Sequence, residues 1–255
     1  MVDIICLGEV LIDMFSTEVG LPLEKAPGFL PVPGGAPANV TIGLARLGVD
    51  VALISKVGDD PFGRLLQNTL SQNGVDISQL KVDRNSRTTL AFISIREDGE
   101  RDFCFYRNPG ADMMLSAEEI SEEFIKKARV FHYGSISTIS EPSYSATLEA
   151  LEYAKKYGLV ISYDPNLRLS LWKSKDQAKQ RITEGLNNSD LVKVNTEELE
   201  FITGTSELKR GTDNLLEYGP KMVVVTRGRE GSFFNNGKIF ASVDGYKVHA
   251  VDTTG

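Results

Sequence analysis

The chain has 255 residues, 41% hydrophobic and 25% charged, enough to bury the core of one large α/β domain. A formal charge of −7 argues against nucleic acid or an anionic membrane surface as the main partner. No apolar run reaches membrane-spanning length, and Met1-Val2-Asp3 lacks the basic stretch of a signal peptide, so a cytoplasmic protein with no membrane partner is expected. Cys6 and Cys104, the two cysteines, sit in apolar strand-like contexts and read as reduced core thiols.

In chain order, Ile4–Gly8 is a continuous apolar run, as for a central strand covered on both faces, and it places Asp13 beyond its end. Residues 16–33 carry prolines and no helical period, which predicts irregular or edge-strand structure. The turn Pro33-Gly34-Gly35 leads into a helix with Val40, Leu44 and Leu47 as its apolar face and Gly48 as its stop. Val51–Val57 reads as a strand, followed by a helix capped by Asp60 and Pro61 that ends near Asn73 and Gly74. Thr88–Arg96 and Arg101–Arg107 alternate apolar and polar residues around Glu97-Asp98-Gly99-Glu100, the pattern of a hairpin with one solvated face. That change of pattern marks a second, smaller β element.

Ser116 and Glu119 form a capping box before a helix that buries Ile120, Phe124, Ile125 and Ala128. A regular beat follows: strand Val130–Tyr133, helix Pro142–Tyr157, strand Leu159–Tyr163, helix Asp176–Asn187, and strand Leu191–Val194 with a helix from Thr196. A helix over Glu207–Tyr218 and strand Met222–Thr226 continue it, and Phe233–Phe240 with Tyr246–Val251 reads as a closing antiparallel pair. Strands alternating with helices imply βαβ units and a parallel sheet.

Ligands of such sheets lie outside the carboxyl ends of the strands. The exits here carry Asp13, Asp164-Pro165-Asn166 with Arg168, Lys193 with Asn195, Thr226 through Gly231, and Asp252-Thr253-Thr254-Gly255. At any single exit these are also ordinary turn formers. Five such exits together suit a polyol and a polyphosphate. A strand ending in Thr253-Thr254-Gly255 is also how chains open a turn that cradles phosphate on backbone N–H groups. The sequence has neither a P-loop nor a Gly-x-Gly-x-x-Gly opening. His132 and His249 lack metal-ligand spacing, and Met113-Met114 reads as packing.

Gly8-Glu9-Val10-Leu11-Ile12-Asp13, Gly34-Gly35-Ala36-Pro37-Ala38-Asn39, Lys56 through Gly63 and Asp252 through Gly255 carry a family likeness. Over essentially its whole length the chain resembles the ribokinase-like, phosphofructokinase-B type sugar kinases. Phe103 through Asp112, Phe131 through Ser137 and Asp164 through Arg168 make it most similar to fructokinases, although 2-keto-3-deoxygluconate kinases share some of these features. The resemblance implies an α/β fold, a three-layer sandwich with a mostly parallel central sheet plus a small β lid. It divides the chain into a core of residues 1–13, 36–86 and 112–255 and a lid of residues 14–35 and 87–111.

It further implies transfer of the ATP γ-phosphoryl group to a sugar hydroxyl, most simply fructose to fructose 6-phosphate. Asp13, Gly34, Gly35, Asn39, Arg107 and Arg168 would then bind the sugar. Lys193, Asn195, Glu198, Thr226, Gly228 and Gly231 would serve ATP, its phosphates and Mg2+. Asp252 and Thr254 would help hold a monovalent cation such as K+, and Gly255 would begin the anion hole. In this family the proton-accepting aspartate follows that glycine by three positions. A chain ending at Gly255 is therefore expected to be inactive, and a longer, active kinase is expected instead. A homodimer joined through the lid, with Phe92, Phe103 and Phe105 as apolar contacts, is also expected. The alternatives are a 2-keto-3-deoxygluconate kinase, with Arg107 and Arg168 on the acid's carboxylate, and a non-catalytic sugar-binding regulatory relative.

Overall fold

The computed structural model describes residues 2–97 and 101–248. In chain order its strands and helices are β1 (Ile4–Leu7), β2 (Leu11–Ser16), β3 (Phe29–Gly34), α1 (Ala36–Arg46), β4 (Val51–Gly58), α2 (Pro61–Gln72) and β5 (Leu80–Asp83). Then come β6 (Leu90–Ile95), β7 (Arg101–Tyr106), α3 (Glu122–Ile125), β8 (Val130–Gly134), α4 (Ser143–Lys156), β9 (Val160–Asp164) and α5 (Lys175–Asn187). The described chain finishes with β10 (Leu191–Asn195), α6 (Thr196–Thr203), α7 (Leu208–Leu216), β11 (Met222–Thr226), β12 (Ser232–Asn235) and β13 (Phe240–Val243).

The large sheet runs β13-β12-β11-β10-β9-β8-β1-β4-β5. It is parallel except for β12 and β13, which pair antiparallel at one edge. From β1 the chain winds outward through β4 and β5, then returns to the other side of β1 and winds out through β8 to β11. The reversal falls between β1 and β8, where an open sheet leaves a crevice for ligands. The expected α/β architecture with a small β lid is what the chain adopts. The lid is a second sheet, ordered β3-β2-β6-β7.

Strand parity divides the core. Ile5, Leu7, Phe131, Tyr133, Ile161, Tyr163, Val192, Val194, Val223 and Val225 are buried in one apolar cluster with residues of α4, α5, α6 and α7. Cys6, Val51, Leu53 and Val57 point the other way, against Ala38 of α1 and Leu66 and Leu70 of α2. β1 is therefore covered on both faces, as its unbroken apolar run requires. Farther out the second face is more open: Val160 on β9 is 49% exposed and Met222 on β11 is 38% exposed.

Local chemistry sets the boundaries. Asp60 caps α2 by accepting from Gly63 N at 2.8 Å, and Pro61 fills the first helical position, where no N–H is needed. Gly35 adopts φ 106°, and a Cβ there would overlap the Glu9 carbonyl, so only glycine fits this turn from the lid into α1.

Several expectations are corrected. Asp13 lies beyond β1 as expected, but as part of a second strand, β2, not as a bare strand exit, and it pairs there with Val32 of β3 and Ala91 of β6. Leu47 is 81% exposed at the end of α1, whose buried residues are Pro37, Ala38 and Thr41. The Ser116–Glu119 capping box exists, but it starts a 3-10 turn rather than a long helix, and α3 follows separately. The antiparallel pair at the sheet edge is β12 with β13, so the expected strand Phe233–Phe240 breaks after Asn235 and its partner begins at Phe240. Residues 246–248 form no strand, and 249–251 lie outside the described residues. Cys6 is buried as expected, whereas Cys104 is exposed on the lid.

Candidate active site

The carboxyl ends of β1, β8, β9 and β10 and the inner face of the lid enclose a cleft of about 420 Å³. A larger cavity, about 690 Å³, opens among Lys155, Val160, Asn188, Asp190, Lys221 and Met222 near the other ends of the strands. There the charged groups already satisfy one another: Lys221 pairs with Asp190 at 2.7 Å, and Lys155 bonds Asn188. The smaller cleft has the richer array of polar groups and lies at the sheet's switch point, so it is the site.

Its floor is built from strand exits. Asp164 closes β9 and pairs with Lys193 of β10 at 3.0 Å. The Asp164 Oδ1 accepts from Asn166 N at 3.1 Å, and Asn166 takes φ 42°, a left-handed conformation that asparagine tolerates better than most residues. Leu167 N then donates to Glu198 Oε1 at 2.7 Å. A loop pinned at these points presents Arg168 to the cleft.

The wall comes from the lid and the start of α1. Period-two alternation puts Asp13 and Leu11 of β2, Ile93 of β6 and Arg101, Phe103 and Phe105 of β7 on the cleft side. Phe92 lies on the opposite face, edge-on to Phe29 at 4.9 Å and against Tyr106 at 5.1 Å. Gly35, Ala36 and Asn39 complete the wall at the helix N-terminus. The helix dipole there favours negative charge and hydroxyl acceptors, and the Ala36 N–H is already taken by Glu9 Oε1.

Burial governs the electrostatics. It pushes the Asp13 carboxyl up to about 6, against the pull of the Arg168 charge. Burial also raises Glu9, to about 7, opposed by its backbone hydrogen bonds and by Arg107. Glu198 is raised by burial, with the Asn195 amide opposing and the Asp164 charge adding. His132 is lowered by burial, and its Nδ1 lies 3.0 Å from the Ser162 hydroxyl.

Of the residues expected to hold sugar, Asp13, Gly35, Asn39 and Arg168 meet in this cleft, together with Lys193. Gly34 lies directly behind Asp13. Arg107 is elsewhere: it is 6% exposed, bound to Asp112 through Nε at 2.8 Å and Nη2 at 2.6 Å. Asn195 and Glu198 form a reciprocal capping box, Asn195 Oδ1 accepting from Glu198 N at 2.7 Å and Glu198 Oε2 from Asn195 N at 2.8 Å. Both Glu198 oxygens thus accept backbone N–H groups. Thr226 is the Cα partner of Asn195 on the next strand. Gly228 has φ 55° and open space where a side chain would stand, whereas a Cβ on Gly231 would strike the Val243 carbonyl. Asp252, Thr254 and Gly255 lie outside the described residues.

Glu9 and Arg101 also line the cleft and were not singled out from the sequence. Glu9 carried a signal, a carboxylate at the exit of the most apolar strand. Arg101 carried one too, since it alternates with Phe103 and Phe105.

A parallel α/β core with a β lid over a cleft of carboxylate, amide and cationic groups defines a binder of small polyhydroxylated molecules. The chain belongs to the pfkB family of carbohydrate kinases, whose description matches residues 1–255. It is 47% identical to probable fructokinase-4 of Arabidopsis thaliana over 253 residues, covering 99% of this chain and 78% of that protein. Its structure resembles a fructokinase double mutant from Vibrio cholerae O395 bound to fructose, ADP and potassium ion (TM-score 0.90, 33% identity, 100% and 79% of the two chains). It also resembles a putative ribokinase II from E. coli in complex with ATP and Mg2+ (TM-score 0.89, 30% identity, 99% and 81%).

Proposed function

We propose that the protein phosphorylates fructose with ATP, at the 6-hydroxyl. The observation that carries this reading is Asp13, a half-buried carboxylate on lid strand β2 that lines the cleft with Arg168 and Asn39. A carboxylate so placed accepts hydrogen bonds from adjacent hydroxyls, and the apolar rings of Phe103 and Phe105 beside it suit the carbon face of a sugar. The relatives named fructokinase support fructose as that sugar.

In this reading Asp13, Gly35 and Asn39 orient the sugar, with Gly34 leaving room for the Asp13 carboxylate. Arg168 and Lys193 stand toward the transferring phosphoryl group and offset its charge. ATP lies along the exits of β10 and β11, over Asn195, Thr226 and Gly228, with Gly231 shaping the same turn. Among the described residues there is no cluster of three or more metal-ligating side chains. Glu198 spends both oxygens on backbone amides, so it fits the nucleotide's magnesium only through water. Mg2+ commonly keeps several waters and is held largely by substrate phosphates, where it neutralises charge. Asp252 and Thr254 are assigned to a potassium ion, and Gly255 to the anion hole. Positioning and charge neutralisation are most of what phosphoryl transfer asks of a protein.

Residues 14–35 and 87–111 act as the lid, joined by residues 11–13 at the start of β2, and the rest as the core. The lid's inner face exposes Leu30 (60%), Val32 (42%) and Phe103 (42%), an apolar surface that suits pairing of two lids in a homodimer. The protein is assigned to the cytoplasm; among the described residues no helix is long and apolar enough to cross a membrane.

A second reading, a 2-keto-3-deoxygluconate kinase, is favoured by Arg101 and Arg168 lining the same cleft, as two guanidinium groups suit a carboxylate. A coupled assay of ADP release with both substrates decides. Preference for fructose supports the first reading, and preference for the sugar acid overturns it. Calorimetric sugar binding without turnover supports a regulatory relative instead.

A further inference from the structure

The chain passes between core and lid at four places, where buried polar groups form two bonded sets, one joining the first two crossings and one the last two, and the Arg107 and Asp112 charges of the second set reach Glu9 of the first. The first crossing, from β1 to β2, carries Glu9. The second, from β3 to α1, carries Ala36, whose N–H donates to Glu9 Oε1 at 3.0 Å. The third enters β6 through Thr89, whose hydroxyl donates to Asp112 Oδ1. The fourth leaves β7 through Arg107 and reaches Asp112, its ion-pair partner. Backbone bonds tie the crossings further: Ile12 N donates to Thr89 O at 3.1 Å and Ala111 N to Arg87 O at 2.8 Å. Glu9, Thr89, Arg107 and Asp112 are 3%, 1%, 6% and 7% exposed.

The charges in this joint do not balance. Two carboxylates face one guanidinium. Both Asp112 oxygens are occupied, Oδ1 by Thr89 and Oδ2 by Arg107. Glu9 uses Oε1 for Ala36, but its Oε2 is buried with no hydrogen-bond partner. A buried carboxylate oxygen left unsatisfied is costly, and it gains most from a cationic donor. The Arg107 charge already acts on Glu9.

We propose that Glu9 is the positioning residue of the lid joint, its spare oxygen taking a hydrogen bond from Arg107 as the lid closes over a bound sugar. Arg107 then shares itself between Asp112 and Glu9, and the shared state is the closed one. The leverage is short on both sides. Asp13 lies four residues beyond Glu9 along the first crossing, and Asn39 three residues beyond the amide that Glu9 holds. Arg107 thus serves the sugar through the joint and not by contact. This inference rests on the reading of the cleft as a sugar site.

Calorimetry with fructose, paired with hydrogen exchange of Leu90–Ile95, tests it in the wild type and two variants. Wild-type protein that binds no fructose overturns the sugar-site reading, and this inference with it, before any variant is compared. Glu9→Gln keeps an acceptor for Ala36 and sets an amide donor against Arg107. Its fructose affinity is expected to fall about ten-fold or more, with loss of the sugar-induced protection of β6. Asp112→Asn weakens the competing partner of Arg107 and is expected to tighten fructose binding about three-fold, whereas a merely structural cluster predicts weaker binding in both variants. Binding by Glu9→Gln within about two-fold of wild type overturns the inference. If that variant does not fold, Asp112→Asn decides alone, and binding no tighter than wild type overturns it.

Discussion

Gly34 of β3 stands so close to Asp13 of β2 that a Cβ on Gly34 would overlap the Asp13 carboxylate. The two residues share the cleft side of the lid, one pleat apart in the β2–β3 register. Gly34 is not in the left-handed region, so alanine is tolerated by the backbone and only the carboxylate must move. Gly34→Ala is therefore expected to weaken fructose binding roughly ten-fold, as one well-placed hydrogen bond to a charged group is worth about 1.5–3 kcal/mol. The melting temperature should stay within a few degrees of wild type. Calorimetry and a thermal melt check it, and unchanged affinity would remove Asp13 from the sugar site.

Asp13 also makes stability and binding respond oppositely to pH. Burial raises its folded carboxyl to about 6, above the unfolded value, so the folded state holds the proton more tightly. Its contribution to stability is full below pH about 4 and is lost as pH rises through about 6. Sugar binding needs the ionised acceptor, so affinity should climb across the same window. Asp13→Asn is expected to abolish binding yet gain about 1–2 kcal/mol at pH about 8, a figure discounted for partial solvent screening. Below pH about 4 the gain should vanish. Denaturant melts at the two pH values measure this; a variant less stable at the higher pH would contradict the burial argument.

Cys6 and Cys104 should differ sharply toward a thiol reagent. Burial drives the Cys6 thiol up to about 12 and shields it, whereas Cys104 is exposed on the lid. Native protein is expected to titrate one thiol promptly and the second only after denaturation. Prompt labelling of both would mean that β1 is accessible from the helix side.

The core was readable because each of its strands is an apolar run bounded by caps and glycines with one local meaning, such as Asp60 before α2 or Gly158 after α4. β5 escaped notice because Leu80–Asp83 is short and half polar, and it becomes a strand only by pairing with β4. The edge hairpin was misplaced although Asn236-Gly237, with Gly237 at φ 79°, is a turn signal inside the run read as one strand. In the site, Asp13, Gly35, Asn39 and Arg168 were legible from strand exits and family likeness together. Arg107 was not, because its partner Asp112 comes from a 3-10 turn that no periodicity announces. The Glu9 joint depends on four distant segments meeting, which a linear pattern does not carry.

Glu198 gives the last test, because it supports the site without lining it. One oxygen closes the capping box at Asn195, and the other holds Leu167, the residue before Arg168. Glu198→Gln retains one acceptor and replaces the other with a donor, so one of two buried backbone N–H groups loses its partner. The expected loss of stability is about 1–3 kcal/mol. If the amide flips to keep the Asn195 cap, the 164–168 loop is released and Arg168 loses its fixed position. Affinity for both fructose and ATP should then fall, the first through Arg168 and the second through the loosened ends of β9 and β10. Hydrogen exchange at Leu167 distinguishes this from a general weakening: faster exchange there, with α4 unchanged, is the expected result. Uniform acceleration across the core would show that Glu198 serves only the stability of the fold.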